Sequence, residues 1–152
     1  MSDKKESNRF ATRAVHSGTQ HIGDAVNTPI FQSSTYKLTD ERYAGWAAGA
    51  QHTLLYARLS TVNSDAVAQK LAAMEQGEDA ETFSSGMGAI STTLLALLNE
   101  GDHMVASADI YGGTYGLLTE ELCRFGLSTT MADMRDPSSY EAAIQDLSLI
   151  HI

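Results

Sequence analysis

Hydrophobic positions recur at helical spacing from residue 61 onward. Val67, Leu71 and Met74 stand at i, i+4 and i+7, and Gly77 follows where a helix would end in a left-handed cap. A second helix is predicted directly after the Ser84-Ser85-Gly86 turn. Its apolar face is predicted at Met87, Ile90, Leu94 and Leu97. The pattern therefore predicts two amphipathic helices, each packing one face into a core.

Short segments between the helices predict strands, at residues 80–84, 103–106 and 127–132, and the second of them is an apolar run. Two further helices are predicted, one over 115–125 with Gly126 closing it and one from Pro137 to Leu147. Strands that alternate with helices favour right-handed crossovers onto a parallel sheet. The predicted fold class is α/β, with an N-terminal extended arm followed by part of a mainly parallel sheet with flanking helices.

Residues 1–55 lack this periodicity and carry turn signals at Ser17-Gly18 and Asn27-Thr28-Pro29. We interpret them as an extended arm. Such an arm cannot bury its own apolar side chains, so it lies on its own domain or on a second subunit. The predicted organisation is an arm over residues 1–60 that contacts a neighbouring subunit, followed by an α/β domain over residues 61–152.

Composition narrows the classes of function. The formal net charge is −9 with 10 Lys and Arg residues, which argues against a nucleic-acid partner because phosphate contacts need clustered basic side chains. The single cysteine, Cys123, can form neither a disulfide nor a thiolate metal site within one copy, so a reducing, cytoplasmic setting is expected. The 5 histidines lack the spacing of a helical ligand pair, and no metal is predicted. We find neither a secretory signal nor an apolar run long enough for a membrane span, and expect no membrane partner.

The stretch Ser84-Ser85-Gly86-Met87-Gly88 stands between a predicted strand and a predicted helix. Free backbone N–H groups and the positive end of the helix would point at one spot there, and the glycines would let a phosphate come close. The serine hydroxyls can add further donors. The alternative is a tight strand-to-helix turn with a serine N-cap and no ligand.

A dinucleotide-binding module is a second interpretation of the same turn. Gly86-x-Gly88 opens a helix, and Asp109 lies at the end of the next strand, where an acid would hold a ribose. Ser91 stands where that fingerprint expects a third small residue, Gly or Ala. The match to a dinucleotide site is therefore incomplete.

Two tyrosine-bearing segments add candidate site residues. In Tyr56-Ala57-Arg58 the guanidinium suits a phosphate, and on an extended segment the phenol two residues away would share its face. In the run from Asp109 to Tyr115, Gly112 and Gly113 leave the backbone free to bend, so that Tyr111 can present its ring face. A solvated arginine and loop-filling tyrosines are the alternatives without a ligand.

The order of these motifs resembles one family. Tyr-x-Arg, then Ser-Gly-Met-x-Ala after a strand, then Tyr-Gly-Gly-Thr-Tyr after the next strand are similar to the pyridoxal 5'-phosphate (PLP) dependent enzymes of cysteine and methionine metabolism. That family includes cystathionine gamma-synthase, the cystathionine lyases, methionine gamma-lyase and O-acetylhomoserine sulfhydrylase. The early segments His16-Ser17-Gly18 and Thr28 to Tyr36 also resemble its N-terminal arm.

The resemblance implies an enzyme with PLP as cofactor, a lyase or transferase of transsulfuration. Its substrates would be sulfur-containing or O-acyl-homoserine-type amino acids, changed by beta/gamma-elimination or gamma-replacement. Tyr111 would stack on the pyridine ring and act as a catalytic residue by exchanging protons with the substrate. Two of the implied residues would reach the phosphate of a neighbouring subunit in a homotetramer built as a dimer of dimers, namely Tyr56 and Arg58. The implied cofactor-binding residues are Tyr56, Arg58, Ser85, Gly86, Met87 and Tyr111.

The same resemblance implies what the chain lacks. In the family the lysine that binds PLP, the aspartate on the ring nitrogen and the arginine on the substrate carboxylate lie further along. Residues 61–152 would then be an incomplete PLP-binding domain, and the chain would be inactive alone. Two alternatives stay open: a nucleotide-binding α/β module that uses the Gly86-x-Gly88 turn, or an inactive subunit-contact fragment.

Overall fold

The computed structural model describes residues 9–49, 53–146 and 148–151. In it the chain forms two compact units, the first ending at Thr82 and the second beginning at Phe83. The first unit therefore holds a helix that the sequence grouped with the α/β domain of residues 61–152. That residues 1–60 form an arm against a neighbouring subunit stays a prediction.

The described part of the first unit contains three helices: α1 Phe10–His16, α2 Asp40–Ala47 and α3 Val62–Glu75. A capping box starts α3, because the Thr61 hydroxyl accepts from the Ser64 N–H at 2.9 Å and the Ser64 hydroxyl accepts from the Thr61 N–H at 2.9 Å. At its other end the left-handed residue is Gln76, with φ 60°, so the predicted cap at Gly77 is wrong by one position. The predicted helix itself is confirmed.

The buried face of α3 differs from the predicted one. Val67 and Leu71 are 51% and 41% exposed, whereas the buried positions are Val62, Ala68 and Ala72. α1 packs against α3, and Gly18, which follows α1 with φ 70°, comes close to the α3 backbone. Small side chains suit such close packing better than large ones. Helical periodicity located the helix but not the face it buries.

Residues 29–36 of the predicted arm are hydrogen-bonded within this unit. Asn63 of α3 joins it through two hydrogen bonds, accepting from the Phe31 N–H at 2.8 Å and donating to the Pro29 carbonyl at 2.9 Å. Further along, Thr35 and Tyr56 form an isolated antiparallel bridge, flanked by bonds from Tyr36 N–H to Leu55 and from Ala57 N–H to Ser34. Part of the predicted arm therefore lies on its own unit.

The second unit is a parallel sheet with helices between its strands, as predicted. The strand order is β2-β1-β3, with β1 paired in parallel to both neighbours. Its elements in chain order are α4 Gly86–Leu97, β1 His103–Ser107, α5 Gly112–Gly116, a π-helical turn Leu117–Glu121, a 3-10 turn Leu122–Phe125, β2 Ser128–Ala132, α6 Pro137–Ala143 and β3 Ser148–His151.

Three predicted elements from residue 80 onward need correction. Residues 80–84 are not a strand, because a strand needs a hydrogen-bonded neighbour and the described sheet consists of β1 to β3. α6 ends at Ala143 rather than Leu147, since Ile144 leaves the helical region at ψ 132°. The predicted helix over 115–125 begins earlier, at Gly112, and Gly126 closes it with φ 77° as predicted.

The core of the second unit lies on both faces of β1. Val105 packs on one face with residues of β2 and α6, whereas Met104 and Ala106 pack on the other. Burial on both faces is typical of a central parallel strand. α4 contributes Leu94, which is 1% exposed, while Leu97 is 59% exposed and lies outside the core. The larger cluster comprises Leu94, Leu98, Met104, Ala106, Leu118, Leu122 and Leu127.

His103 is buried at the start of β1 and is 2% exposed. Its Nδ1 lies 2.6 Å from the Ser148 hydroxyl on β3, and its Nε2 lies 2.8 Å from the Thr130 hydroxyl on β2. One side chain thus links all three strands, which gives this histidine a structural role. No group of three His, Cys, Asp or Glu side chains among the described residues could hold a metal ion. Among the residues that the structure describes, no helix combines the length and the apolar composition that a bilayer span requires.

Candidate functional site

The N-terminus of α4 presents free hydrogen-bond donors. Ser85 is the N-cap, with φ −157° and ψ 156°, and its hydroxyl oxygen accepts from the Gly88 N–H at 3.0 Å. Its carbonyl accepts from the Ala89 N–H at 3.0 Å. The N–H groups of Gly86 and Met87 belong to the first turn, where a helix supplies no acceptor. These two N–H groups and the Ser85 O–H proton remain available to an anion.

The two glycines at this helix end have different surroundings. No atom lies within 4 Å of where a Cβ of Gly86 would stand, so a ligand can approach the turn. A Cβ on Gly88 would stand 3.0 Å from the Ser85 hydroxyl oxygen, within its capping bond. No protein atom therefore closes the approach at Gly86, and Gly88 preserves the cap.

Tyr111 lies past the carboxyl end of β1, at the N-cap of α5. Its side chain is 73% exposed. Ligands of open α/β sheets bind at this edge of the strands. The predicted presentation of the Tyr111 ring to the surface is therefore compatible with its position.

Thr114 joins the two segments of the site. Its hydroxyl donates to the Met87 sulfur at 3.6 Å, and the residue is 7% exposed. This bond ties the first turn of α5, which begins after Tyr111, to the first turn of α4. Sequence reasoning assigned no role to Thr114. The available signal was its position three residues after Tyr111, one helical turn inward.

Tyr56 and Arg58 lie in the first unit, and they stand together. The guanidinium carbon of Arg58 is 5.2 Å from the centroid of the Tyr56 ring, a cation–π distance. The segment is not extended as predicted, because the chain turns after the bridge at Tyr56, with the Leu59 N–H donating to the Tyr56 carbonyl at 2.8 Å. The two side chains therefore form one exposed pair of a guanidinium and a phenol, but a turn brings them together instead of the predicted extended segment.

A fixed negative charge follows β2. The Arg135 backbone N–H and guanidinium donate to Asp133 and hold the pKa of that carboxyl below its ordinary value. Arg135 is 3.2 Å from the Asp133 carboxylate, so the two charges offset each other. Asp133 is thus paired within its own loop.

The residues at the α4 and α5 termini suit one kind of ligand. Two N–H groups and a hydroxyl at the positive end of α4 fit a phosphate, and an exposed phenol ring fits a flat aromatic group. PLP combines these two features in one molecule. The chemistry of the donor set therefore fits PLP.

Comparison with known proteins gives the family. The model of the Cys/Met metabolism PLP-dependent enzyme family matches residues 11–150. The chain belongs to this family. The match includes all six predicted cofactor-binding residues, although it does not test their individual roles.

Named members of this family resemble the chain closely. L-methionine gamma-lyase of Porphyromonas gingivalis is 41% identical over 138 residues, which are 90% of this chain and 35% of that protein. Cystathionine beta-lyase of Bacillus subtilis is 36% identical over 137 residues, 88% of this chain and 33% of that protein. The chain thus spans about a third of the length of these curated relatives.

Solved structures of the family share the fold. A Campylobacter jejuni structure assigned as an O-acetylhomoserine (thiol)-lyase superposes with a TM-score of 0.85 at 29% identity, covering 94% of this chain and 36% of that one. That structure contains N'-pyridoxyl-lysine-5'-monophosphate. The predicted fold class, part of a mainly parallel α/β domain of PLP enzymes, is confirmed. Residues 80–84 form no strand, although both the PLP resemblance and the dinucleotide interpretation placed one before Gly86.

Proposed function

We propose that the chain is part of a PLP-dependent enzyme that acts on sulfur-containing or O-acyl-homoserine-type amino acids. The reaction is a beta/gamma-elimination or a gamma-replacement at the side chain. The observation that carries the proposal is the link between the donor-rich N-terminus of α4 and the segment of Tyr111, made by Thr114 and Met87. Family membership supports the same assignment.

Each end of the site has a separate task. When bound, PLP supplies an electron sink for charge that develops at the α carbon of an amino acid. The N–H groups of Gly86 and Met87 and the Ser85 hydroxyl hold the phosphate. Tyr111 covers one face of the pyridine ring, shields it from water and can hold or release a proton at its phenol oxygen. The chain thereby orients the cofactor by its phosphate and its ring.

Tyr56 and Arg58 serve a neighbouring copy in this proposal. Their exposed pair offers a guanidinium, which suits a phosphate dianion, beside a phenol hydroxyl. The arm also exposes apolar side chains, with Val26 81% and Ile30 84% exposed, which suits contact with another subunit. In this proposal the assembled protein is a cytoplasmic homotetramer. Each phosphate is bound by the N-terminus of α4 of one subunit and by Tyr56 and Arg58 of a neighbouring subunit.

Substitution of Gly86 tests the phosphate cradle, which we define as the N–H groups of Gly86 and Met87 together with the Ser85 hydroxyl. Proline is tolerated at the first helical position and lacks an N–H, so Gly86→Pro removes one donor while keeping α4. The extended backbone of Ser85 is compatible with a following proline. We expect Gly86→Pro to weaken PLP binding by about tenfold or more, the loss of one charge-assisted hydrogen bond. PLP titration followed by absorbance measures it, and binding is expected to be reversible on dialysis.

Gly86→Ala is the matched control, because it keeps the N–H and its Cβ has open space. Its PLP affinity is expected to lie within about twofold of that of the unchanged protein, well below the tenfold loss expected for Gly86→Pro. Equal PLP affinity of the proline and alanine variants would contradict the proposal that the Gly86 N–H donates to the phosphate. Saturable NAD binding without PLP binding would instead support the nucleotide-binding module.

A mixing experiment tests the shared site. Arg58→Ala removes the contribution to the neighbour, and Gly86→Pro damages the cradle of its own chain. Each variant alone is expected to bind PLP weakly. Co-expressed in equal amounts, they form mixed pairs with one intact site, so about a quarter of all sites should regain full affinity.

The mixed sample is measured by the same PLP titration as its two parents. A sample that shows two weak affinities and no recovered fraction would mean that Arg58 does not act across a subunit boundary. Arg58→Lys in place of Arg58→Ala separates charge from geometry, because lysine keeps the charge without the planar fork.

A further inference from the structure

Asn63 fastens part of the arm to the first turn of α3. Its side-chain oxygen accepts from the Phe31 N–H at 2.8 Å, and its side-chain N–H donates to the Pro29 carbonyl at 2.9 Å. An amide side chain carries both a donor and an acceptor, so one residue can bind two backbone groups in this way. Residues 29–31 are thereby fixed to the helix start.

The backbone at Tyr56 is paired with the segment that follows residues 29–31. Two backbone hydrogen bonds, at 2.9 and 3.1 Å, join residues 34–36 to residues 55–57 around the bridge of Thr35 and Tyr56. A two-stranded pairing by itself is marginal in water, and one this short depends on what holds its strands. Asn63 holds one of them, through residues 29–31.

The other end of the Tyr56–Arg58 segment is fixed to the same turn of α3. The Ser60 hydroxyl lies 2.8 and 2.9 Å from the two carboxylate oxygens of Asp65, and Ser60 is 5% exposed. Asp65 therefore anchors the segment where it enters α3. The pairing with residues 34–36 anchors it where it begins.

We propose that Asn63 is a positioning residue for the Tyr56–Arg58 pair. It fixes residues 29–31 to α3 and so keeps residues 34–36 in place, and these fix the backbone from which the phenol projects. Loss of the Asn63 amide would free this strand without removing either group of the pair. That the pair binds the phosphate of PLP rests on the proposed function, whereas the strand pairing does not.

Two substitutions of Asn63 and one control separate this role from the stability of α3. Asn63→Leu removes donor and acceptor with little change in size. Asn63→Asp keeps an acceptor for the Phe31 N–H and loses the donor to Pro29, while its charge in the first turn favours the helix. Gln69→Ala is the matched control on the same helix, because it removes a 2.9 Å bond from the arm residue Gln20, outside residues 29–36.

The pairing is tested by NMR without any cofactor. Thr35 and Tyr56 are a non-hydrogen-bonded pair, in which opposite Cα atoms are about 4.5 Å apart. Isotope-labelled 152-residue protein should therefore show a nuclear Overhauser effect between their α-protons. We expect it to be absent in Asn63→Leu, weakened in Asn63→Asp and unchanged in Gln69→Ala, while the far-UV circular dichroism of all three stays that of the unchanged protein.

Hydrogen exchange measures the size of the effect. The Ala57 N–H donates across the pairing to the Ser34 carbonyl, so its exchange reports how often the two strands separate. In Asn63→Leu this exchange is expected to be about tenfold faster or more, as loss of one to two hydrogen bonds predicts. In Gln69→Ala it should stay within about twofold.

PLP titration followed by absorbance tests whether Asn63 acts through the pair. Asn63→Leu is expected to weaken PLP affinity by about threefold to tenfold, part of the loss of a charge-assisted contact. In the Arg58→Ala background the same substitution should weaken it by less than about twofold, because its effect passes through that contact. A general structural defect would cost the same factor in both backgrounds.

The outcomes separate the positioning role from the proposed function. An Overhauser effect between Thr35 and Tyr56 that persists in Asn63→Leu overturns the inference. So does an equal loss of PLP affinity with and without Arg58. Loss of the Overhauser effect confined to the Asn63 variants, in a protein that binds no PLP, would uphold the positioning of the pair and reject the proposed function.

Discussion

Replacing Gly18 by alanine is expected to lower the free energy of unfolding of the first unit by about 3 kcal/mol. The new Cβ would stand 2.3 Å from the Ala66 carbonyl oxygen and 2.8 Å from the Lys70 nitrogen, both backbone atoms of α3. A helix backbone cannot yield as a flexible side chain can, so α1 and α3 would have to separate. The left-handed φ of 70° adds its own cost for any residue with a Cβ. Urea unfolding followed by far-UV circular dichroism measures the change.

Gly23→Ala isolates the steric part of this effect. Gly23 also has a left-handed φ, 58°, but no atom lies within 4 Å of its Cβ position. Its replacement should cost about 1 kcal/mol, the backbone strain alone. If the two variants unfold at the same urea concentration, the close approach of Gly18 to α3 is not present in solution.

Leu94→Ala is expected to destabilise the second unit by about 3 kcal/mol, because it leaves a cavity in the larger core cluster. Leu94 is 1% exposed and packs with side chains from β1 and from the segment after α5. The measurement is again urea unfolding at equilibrium, compared by the unfolding midpoint at a constant slope.

Leu97→Ala provides the control on the same helix. This side chain is 59% exposed, so its truncation should change stability by no more than about 0.5 kcal/mol. Periodicity placed both leucines on one buried face. A large loss at Leu97 equal to that at Leu94 would restore the predicted face and contradict the packing of α4.

Local signals in the sequence were sufficient for most elements of the second unit. β1 and β2 lie within one residue of their predicted bounds, and Pro137 and Gly126 act as the start and stop signals that their chemistry indicates. Pairing is a non-local property, which is why residues 80–84 were wrongly predicted as a strand. Residues that complete a sheet cannot be inferred from a short apolar run alone.

The candidate site likewise has features that the sequence predicted and one that it did not. Ser85 as an N-cap before a free helix end could be predicted from a few adjacent residues, and so could an exposed Tyr111 between a strand and two glycines. The bond from Thr114 to Met87 could not, because it joins side chains that are far apart in sequence and has no motif of its own. The roles of the predicted site residues remain predictions until the titrations are done.

The central place of β1 in the sheet has a consequence for how this unit folds. β2 returns to β1 across a shorter stretch of chain than β3 does, so closing the first loop costs less conformational entropy. The nucleus of folding would therefore form between β1 and β2, around Met104 and Leu118, before β3 docks. In that order His103 would already lie beside Thr130 when Ser148 arrives, so β3 would join a scaffold that presents its hydrogen-bond partner.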